Sequence, residues 1–375
     1  MNQTPATPDT GDLLYSEVEE DLRASVRALL EKRSPWDVVL ARTESAETTD
    51  RELWATLAGE IGCAALAVPE AVGGAGASWR EAAVVAEELG RAVAPVPFLG
   101  SAGITVALLL ALGEHELLAE VAAGSVAALA LPFGTAPGDT IGFLDVSGGR
   151  VSGAVDGVAD AAAADTLLVV AEDGVYRVDA NATGVRRTVL VSLDMTRPLA
   201  DLVFDGAPAY RLESSRPVGE AVTAALRTGA VLLAAEQLGV AEQCLAMTVD
   251  YLAIRRQFGR ILGSYQALKH RLADLWVLIT QARAAARYAA DCVAAGSPDL
   301  PVAASLAKAH CSAVAQLAAE ECMQMHGGIG FSWEHPAHLY LKRAKSAAIA
   351  LGTPGRHRTI LAELVNVPRP TSVEG

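Results

Sequence analysis

The stretch Cys322–Thr353, CMQMHGGIGFSWEHPAHLYLKRAKSAAIALGT, sets two helical runs on either side of a glycine-rich break. Gly327, Gly328 and Gly330 have no Cβ, so the chain can turn tightly there and bring its amides close to a ligand. Amides clustered in this way suit a pyrophosphate, and the same pattern also serves as a plain connection between helices. Glu334-His335-Pro336 reads as the N-terminus of the helix that follows.

Upstream, Tyr251–Trp276, YLAIRRQFGRILGSYQALKHRLADLW, is an Arg-rich segment with aromatic residues that feeds directly into a new helix. Taken singly, Arg255 and Arg256 read as a charge cluster at a helix end. Together, the two stretches resemble the acyl-CoA dehydrogenase family. That family carries R-x-x-F-G, then a Gln in the next helix, then Q-x-x-G-G-x-G-F. Here these are Arg255, Phe258, Gly259, Gln266, Gln324, Gly327, Gly328, Gly330 and Phe331.

The resemblance implies FAD as cofactor, shared across a subunit boundary. By it, Arg255 pairs with the pyrophosphate, a role suited to a planar guanidinium. Phe258 lies against the flavin-bearing end, Gln266 and Gln324 hydrogen-bond around the adenosine half, and Gly327 and Gly328 allow close backbone approach. Thr353 reaches the FAD of its own subunit. The family's E-G-T falls on Leu351, Gly352 and Thr353, so an apolar side chain stands where most members keep the catalytic base.

Loss of that Glu matters because desaturating an acyl-CoA needs a carboxylate to take the α-proton, and a positioned base contributes about 10²–10⁴ in rate. The alternative base position of the family aligns with Gly229. Glu236, two turns further along roughly the same helix face, is the candidate base within the chain, with a paired structural carboxylate as its other reading. His310, His326, His335 and His338 read as packing or helix-start residues and show no metal-ligand spacing.

Composition bounds the rest. A chain of 375 residues, 51% of them hydrophobic, can bury a large core divided into two or three substructures. The net charge of −14 argues against nucleic acid or an anionic membrane as partner. Five scattered cysteines suit a reduced, cytoplasmic protein, the N-terminus lacks the pattern of a signal peptide, and the longest apolar run, Ile104–Leu112, is too short to insert into a membrane.

The expected fold is α+β. Residues 1–12 form a disordered tail. A helical domain over 13–125 is expected to start at a Ser16/Glu19 capping box, with a helix end at Pro35 and further boxes at Thr49/Glu52 and Ser78/Glu81, then helical runs at 97–112 and 114–123. Leu66–Gly76 and Ala86–Gly90 resemble the family's L-x-V-P-E-x-x-G-G-x-G and A-E-E-L-G. A middle β domain, barrel or sandwich, spans 126–215. In it Leu129–Asp139 and Gly153–Asp165 correspond to the segments that cover the flavin ring in the family, and neither keeps the hydroxyls or the Trp found there.

A four-helix bundle over 216–367 follows, with helices at about 219–255, 265–295, 301–326 and 336–350, and then a tail at 368–375. In its second helix Leu268, Leu272, Leu275, Ile279, Ala282, Ala286, Ala289 and Val293 form a seam. Arg271, Asp274, Arg283 and Arg287 lie off that seam, on a solvated or inter-subunit face.

The resemblance therefore implies a FAD-associated acyl-CoA dehydrogenase subunit without its own base. Such chains are similar to the small partners of heteromeric bacterial dehydrogenases that act on steroid side chains or other bulky acyl-CoA esters. It would join a base-bearing paralogous subunit in a dimer or heterotetramer, act on an acyl-CoA substrate, and pass electrons to an electron-transfer acceptor. The alternatives are a homomeric dehydrogenase using Glu236 and a non-catalytic scaffold that has lost FAD.

Overall fold

The structure, a computed structural model, describes residues 13–214 and 216–367; the tails expected at 1–12 and 368–375 lie outside the described residues. The first helix, α1 (Glu17–Arg33), begins as its capping box requires. The Ser16 hydroxyl accepts from the Glu19 amide at 3.2 Å, and the Glu19 carboxylate accepts from the Ser16 amide at 2.7 Å. α1 stops at Arg33, and Pro35 starts a short α2 (Trp36–Thr43) that the apolar pattern alone does not separate. α3 (Arg51–Gly59) is capped by Asp50, whose carboxylate accepts from the Leu53 amide at 2.9 Å. This corrects the expected Thr49/Glu52 box, because the acceptor sits one residue later. α4 (Trp79–Arg91) has the Ser78/Glu81 box. The run at 97–112 divides into a π-helix, Phe98–Thr105, and α5 (Val106–Leu112), before α6 (Glu116–Ala122).

Glu19 is also the centre of a buried network. It is only 1% exposed, yet Arg287 donates to it at 2.7 Å and Arg80 at 3.1 Å. Arg287 is itself buried, which overturns its expected place on a solvated or inter-subunit face: that side of its helix is covered by the N-terminal domain. Burial opposes the Glu19 charge, but hydrogen bonds from Arg80, the Ser16 amide and Arg287 outweigh it and hold the carboxyl at about 2. A depressed carboxyl contributes stability that is fully present above its ordinary value of 4.5 and lost as pH falls through about 2. Glu19→Gln is therefore expected to cost about 2–3 kcal/mol at neutral pH and to flatten the acid limb of a pH–stability curve; an unchanged acid limb counts against this account.

The middle domain holds two four-stranded sheets. One is ordered β1 (Ala127–Leu129), β4 (Thr166–Ala171), β5 (Gly174–Asp179), β8 (Tyr210–Arg211); the other is β2 (Asp145–Ser147), β3 (Arg150–Ala159), β7 (Leu199–Pro208), β6 (Val185–Val189). Among the described residues, only β1 and β4 pair in parallel. β4 is buried at every position, as suits its unbroken apolar run TLLVVA.

The bundle consists of α7 (Val218–Ile254), α8 (Gln266–Ala294), α9 (Leu300–His326) and α10 (Ala337–Ile349), each within two residues of expectation, and α11 (Pro354–Leu364) follows. The α8 seam is buried at Leu275, Ile279, Ala282, Ala286 and Ala289 and half-buried at Leu268, Leu272 and Val293. By length and composition α7 is apolar enough to cross a membrane, although Arg227 and Glu236 interrupt its apolar residues. It is instead the core helix, buried without a break from Thr228 to Ala241.

At the crossing of α4 and α7 the two backbones touch. A Cβ at Gly239 would sit 1.9 Å from the Glu87 carbonyl oxygen, and one at Gly90 would sit 2.0 Å from that of Glu236. Only glycine permits this approach. It locks the first domain to the bundle and carries Glu236 inward.

Candidate functional site

The two motif stretches meet at one end of the bundle. α7 ends where the Arg255 amide donates to the Tyr251 carbonyl at 2.9 Å. A hairpin follows, β9 (Arg256–Gln257) with β10 (Arg260–Ile261). Its two turn residues, Phe258 and Gly259, both have left-handed φ, 52° and 78°, which a tight two-residue hairpin favours. α9 ends at His326 in the same place: the Tyr251 ring stacks on His326 at 4.4 Å, and His335 lies on the other motif-bearing turn 4.1 Å from His326. Residues far apart in sequence thus become neighbours through one stacked column.

Arg255, Phe258, Gln266, Gln324, Gly327 and Gly328 are all exposed on this end. A Cβ on Gly327 or Gly328 would meet nothing within 4 Å, so open space lies before these amides. Among the described residues no carboxylate pairs with Arg255 or Arg256. Phe258 is 88% exposed, and Ile254, Phe331 and Trp333 are exposed as well. Uncompensated guanidinium groups beside bare aromatic rings make a surface suited to an anionic, aromatic ligand and an apolar covering partner.

The Leu351-Gly352-Thr353 turn lies at the opposite end. Lys308 Nζ, early in α9, donates to the Gly352 carbonyl at 3.1 Å, and the 18 residues from Lys308 to His326 span about 27 Å of helix. The turn at 351–353 is held firmly. The Leu351 amide donates to the Phe133 carbonyl at 2.7 Å, His357 Nε2 donates to the Leu351 carbonyl at 2.8 Å, and Thr353 caps α11 by accepting from the Arg356 amide at 3.2 Å. His357 is therefore the neutral Nε2–H tautomer, and burial keeps its pKa down at about 4.

Leu351 lines a small cavity of about 20 Å³ with Ile104, Leu129, Leu131, Phe133 and Leu226. A Cβ at Gly229 would lie 2.6 Å from Ile104 Cγ1 and 3.2 Å from Leu351 Cδ1. The two positions aligned with the family's base, Leu351 and Gly229, therefore meet in the same apolar contact, and neither brings a carboxylate. The cavity has room for about one water, whereas ligand pockets run to roughly 300–1,000 Å³. Its walls come partly from Leu129–Asp139 and Gly153–Asp165, the segments expected over the flavin ring. A flavin ring does not fit between them, so the residues that suit FAD are those of the bundle end.

Glu236 is not a free base. It is 5% exposed, and it accepts from Arg197 Nη2 and, at 3.1 Å, from Arg343 Nη1. Burial disfavours its charge, but Arg197 and Arg343 outweigh burial and push its pKa down. A carboxylate held ionised by two guanidinium groups has little tendency to take a proton.

The same buried cluster contains residues that sequence reasoning missed. Arg343 Nε lies 3.2 Å from Asp194 Oδ2 and donates to Thr196 Oγ1 at 3.0 Å. Asp160 accepts from the Gly100 amide at 2.9 Å, and burial pushes its pKa up to about 6. The only signal in the sequence was an Asp inside the alanine run GVADAAAAD. Of the histidines, His326 and His338 are buried, and His335 accepts from the Ala337 amide at 3.2 Å, which makes it part of the α10 start.

The chain is similar to known proteins over most of its length. The family model described as the acyl-CoA dehydrogenase C-terminal domain matches residues 219–365, and that for the N-terminal domain matches residues 16–126. Acyl-CoA dehydrogenase IpdE2 of Mycolicibacterium smegmatis is 38% identical over 339 residues, covering 90% of this chain and 96% of the relative. A chain of the ChsE4-ChsE5 complex from Mycobacterium tuberculosis aligns with TM-score 0.84 at 28% identity, over 96% of this chain and 100% of that one. A chain of a Tcur3481-Tcur3483 steroid ACAD variant aligns with TM-score 0.82 at 31% identity, over 93% and 98%. The chain belongs to the acyl-CoA dehydrogenase family, FAD-dependent oxidoreductases that act on CH–CH donors.

Proposed function

We propose that this chain is the base-lacking subunit of a heteromeric acyl-CoA dehydrogenase. It lends Arg255, Phe258, Gln324, Gly327 and Gly328 to a FAD whose ring is held by a base-bearing paralogous partner. The observation that carries this reading is the contrast between the two ends of the bundle. One is open, cationic and aromatic; the other has both base positions closed over about 20 Å³ of apolar space.

FAD supplies the hydride acceptor when bound. This chain's part is to hold the pyrophosphate with Arg255 and to exclude water with Phe258 and its aromatic neighbours. Because the two ends lie about 27 Å apart along α9, a cofactor gripped at the open end must place its ring in another chain. The named pairs ChsE4-ChsE5 and Tcur3481-Tcur3483 support a two-chain assembly, and the steroid description of the latter supports a bulky acyl-CoA substrate. The assembly would work in the cytoplasm and hand electrons to a separate acceptor protein.

The test is to purify the chain alone and together with a paralogue that keeps E-G-T, and to compare absorbance spectra and acyl-CoA oxidation. A nearly colourless, inactive lone chain and a yellow, active pair with one flavin per two chains are expected. Full flavin and turnover in the lone chain would refute the proposal, and a colourless pair would leave the scaffold reading standing in its place.

A further inference from the structure

The proposed function rests on the open end of the bundle and makes no use of a cavity between the first domain and the bundle. That cavity measures about 260 Å³, against about 20 Å³ beside Leu351. It opens next to the Gly90–Gly239 crossing. A Cβ at Gly239 would also lie 2.9 Å from the Arg91 amide, so Arg91 sits at the contact itself, and Gln243 follows Gly239 by about one turn of α7. Both line the cavity. Ser34 and Trp36, at the break between α1 and α2, form a second wall, and Pro336 and Tyr340, at the start of α10, form a third. Four elements distant in sequence thus enclose one space.

The polar groups that line it are unevenly matched. Arg27 donates to Glu88 through Nε at 2.9 Å and through Nη2 at 2.6 Å, a bidentate pair that neutralises itself. Glu31 is exposed, so water solvates its charge. Arg91 is half-buried, and among the described residues its guanidinium has neither a carboxylate partner nor a hydrogen-bond acceptor. Two neutral groups are unpartnered too. Gln243 Oε1 is buried without a hydrogen-bond partner, and Ser34, only 4% exposed, has a hydroxyl that makes no hydrogen bond among the described residues. Buried polar groups are normally paired, so three such groups around one cavity call for something that pairs them.

We infer that this cavity binds a small monocarboxylate with a flat or short apolar body. The Arg91 guanidinium takes the carboxylate, whose planar oxygens match its fork. The Ser34 hydroxyl and the Gln243 amide supply the remaining hydrogen bonds. The apolar body lies against Leu30, Trp36, Met247 and the Tyr340 ring. The Tyr340 hydroxyl is already committed, since it donates to the Arg91 carbonyl at 2.7 Å, so that ring offers only its face and edge.

Charge and size select this class of ligand. One free guanidinium offsets one negative charge, and a phosphate dianion would set a second charge beside Glu31 and Glu88. A volume of about 260 Å³ falls just short of the roughly 300–1,000 Å³ of drug-sized sites, so a single ring or a short chain fits and a nucleotide does not. Water alone would satisfy the polar atoms and leave the apolar walls wet. Access needs no unfolding, because Glu31 and Trp36 are exposed at the rim. A ligand bound here touches both the first domain and the bundle, so it stabilises the folded chain by mass action.

The test titrates sodium benzoate into the full chain at constant ionic strength and reads heat, tryptophan fluorescence and melting temperature. One saturable site is expected, with a rise in melting temperature. Arg91→Met should weaken benzoate binding by about 10–100-fold, the worth of a charge-assisted hydrogen bond, and Arg91→Lys should fall between Met and wild type. Trp36→Phe should keep the heat and lose the fluorescence change. Gln243→Leu removes a buried carbonyl that has no donor, so it should weaken binding while holding or raising the melting temperature of the free chain; this variant serves if Arg91→Met fails to fold. Benzyl alcohol, with the same ring and no charge, should bind at least about tenfold more weakly, and Arg255→Ala should change nothing. No saturable binding means that the cavity holds water only, and overturns the inference. So does binding unchanged by Arg91→Met, which leaves Arg91 to the end of its own helix; benzyl alcohol bound as tightly as benzoate; or binding lost in Arg255→Ala, which places benzoate at the other site.

Discussion

Glu236→Ala is expected to destabilise the chain by about 3–5 kcal/mol, because it leaves two buried guanidinium groups facing each other without their shared carboxylate. Arg197 and Arg343 are 6% and 2% exposed, so water cannot take over the lost partner. Arg197 Nη1 already lacks a hydrogen-bond partner, and the remaining acids, Asp160 and Asp194, are engaged by Gly100 and by Arg343. Glu236→Gln keeps a hydrogen-bond acceptor but removes the charge, and it should fall between wild type and alanine. Denaturant midpoints at unchanged m-value measure the effect. The outcome also separates two roles: a structural carboxylate lowers stability while activity per folded complex persists, whereas a base abolishes activity while stability persists.

Arg255→Ala in the assembled pair is expected to weaken FAD binding by about 10–100-fold, the worth of a charge-assisted hydrogen bond of roughly 1.5–3 kcal/mol. The fold should not notice, since Arg255 is exposed and, among the described residues, has no ion pair to lose. Arg255→Lys should recover part of the affinity only, because an ammonium offers a point charge where a guanidinium offers a fork. Titration of flavin into the stripped complex measures both. Affinity unchanged in the alanine variant would remove Arg255 from the cofactor site.

The motif residues at the bundle end are legible in the sequence because their types carry their chemistry. A hairpin with Phe258-Gly259 at its tip and a Gly-Gly turn after α9 are local features, set by backbone conformation over a few residues. The bundle helices are legible for a similar reason, since an unbroken 3.6-residue apolar period specifies both the helix and its buried face. The cap of α3 is less so, because Thr49 and Asp50 are adjacent possible caps and only the helix's entry angle selects between them.

The buried charges are not legible. Arg287 lies off the seam of its own helix, and nothing in α8 indicates that Glu19, 268 residues away, will reach it. Glu236 has roughly the right spacing from Gly229 to point toward a substrate. It turns into an ion-pair cluster because the Gly90–Gly239 crossing draws α7 against α4, while Arg197 enters from the β domain and Arg343 from α10.

The amino-acid sequence by itself determined which residue types this protein has to work with: arginine, phenylalanine and glycines at one end of the bundle, and leucine in place of glutamate at the other. Those facts hold in any conformation, since a missing carboxylate is missing whatever the fold. Only the tertiary structure decided that Gly229 and Leu351 close on each other, that the space beside Leu351 admits about one water, and that the motif residues and Leu351 sit at opposite ends of α9. Volume and direction depend on how separately encoded elements pack, and in a close-packed interior neither can be read from one element alone.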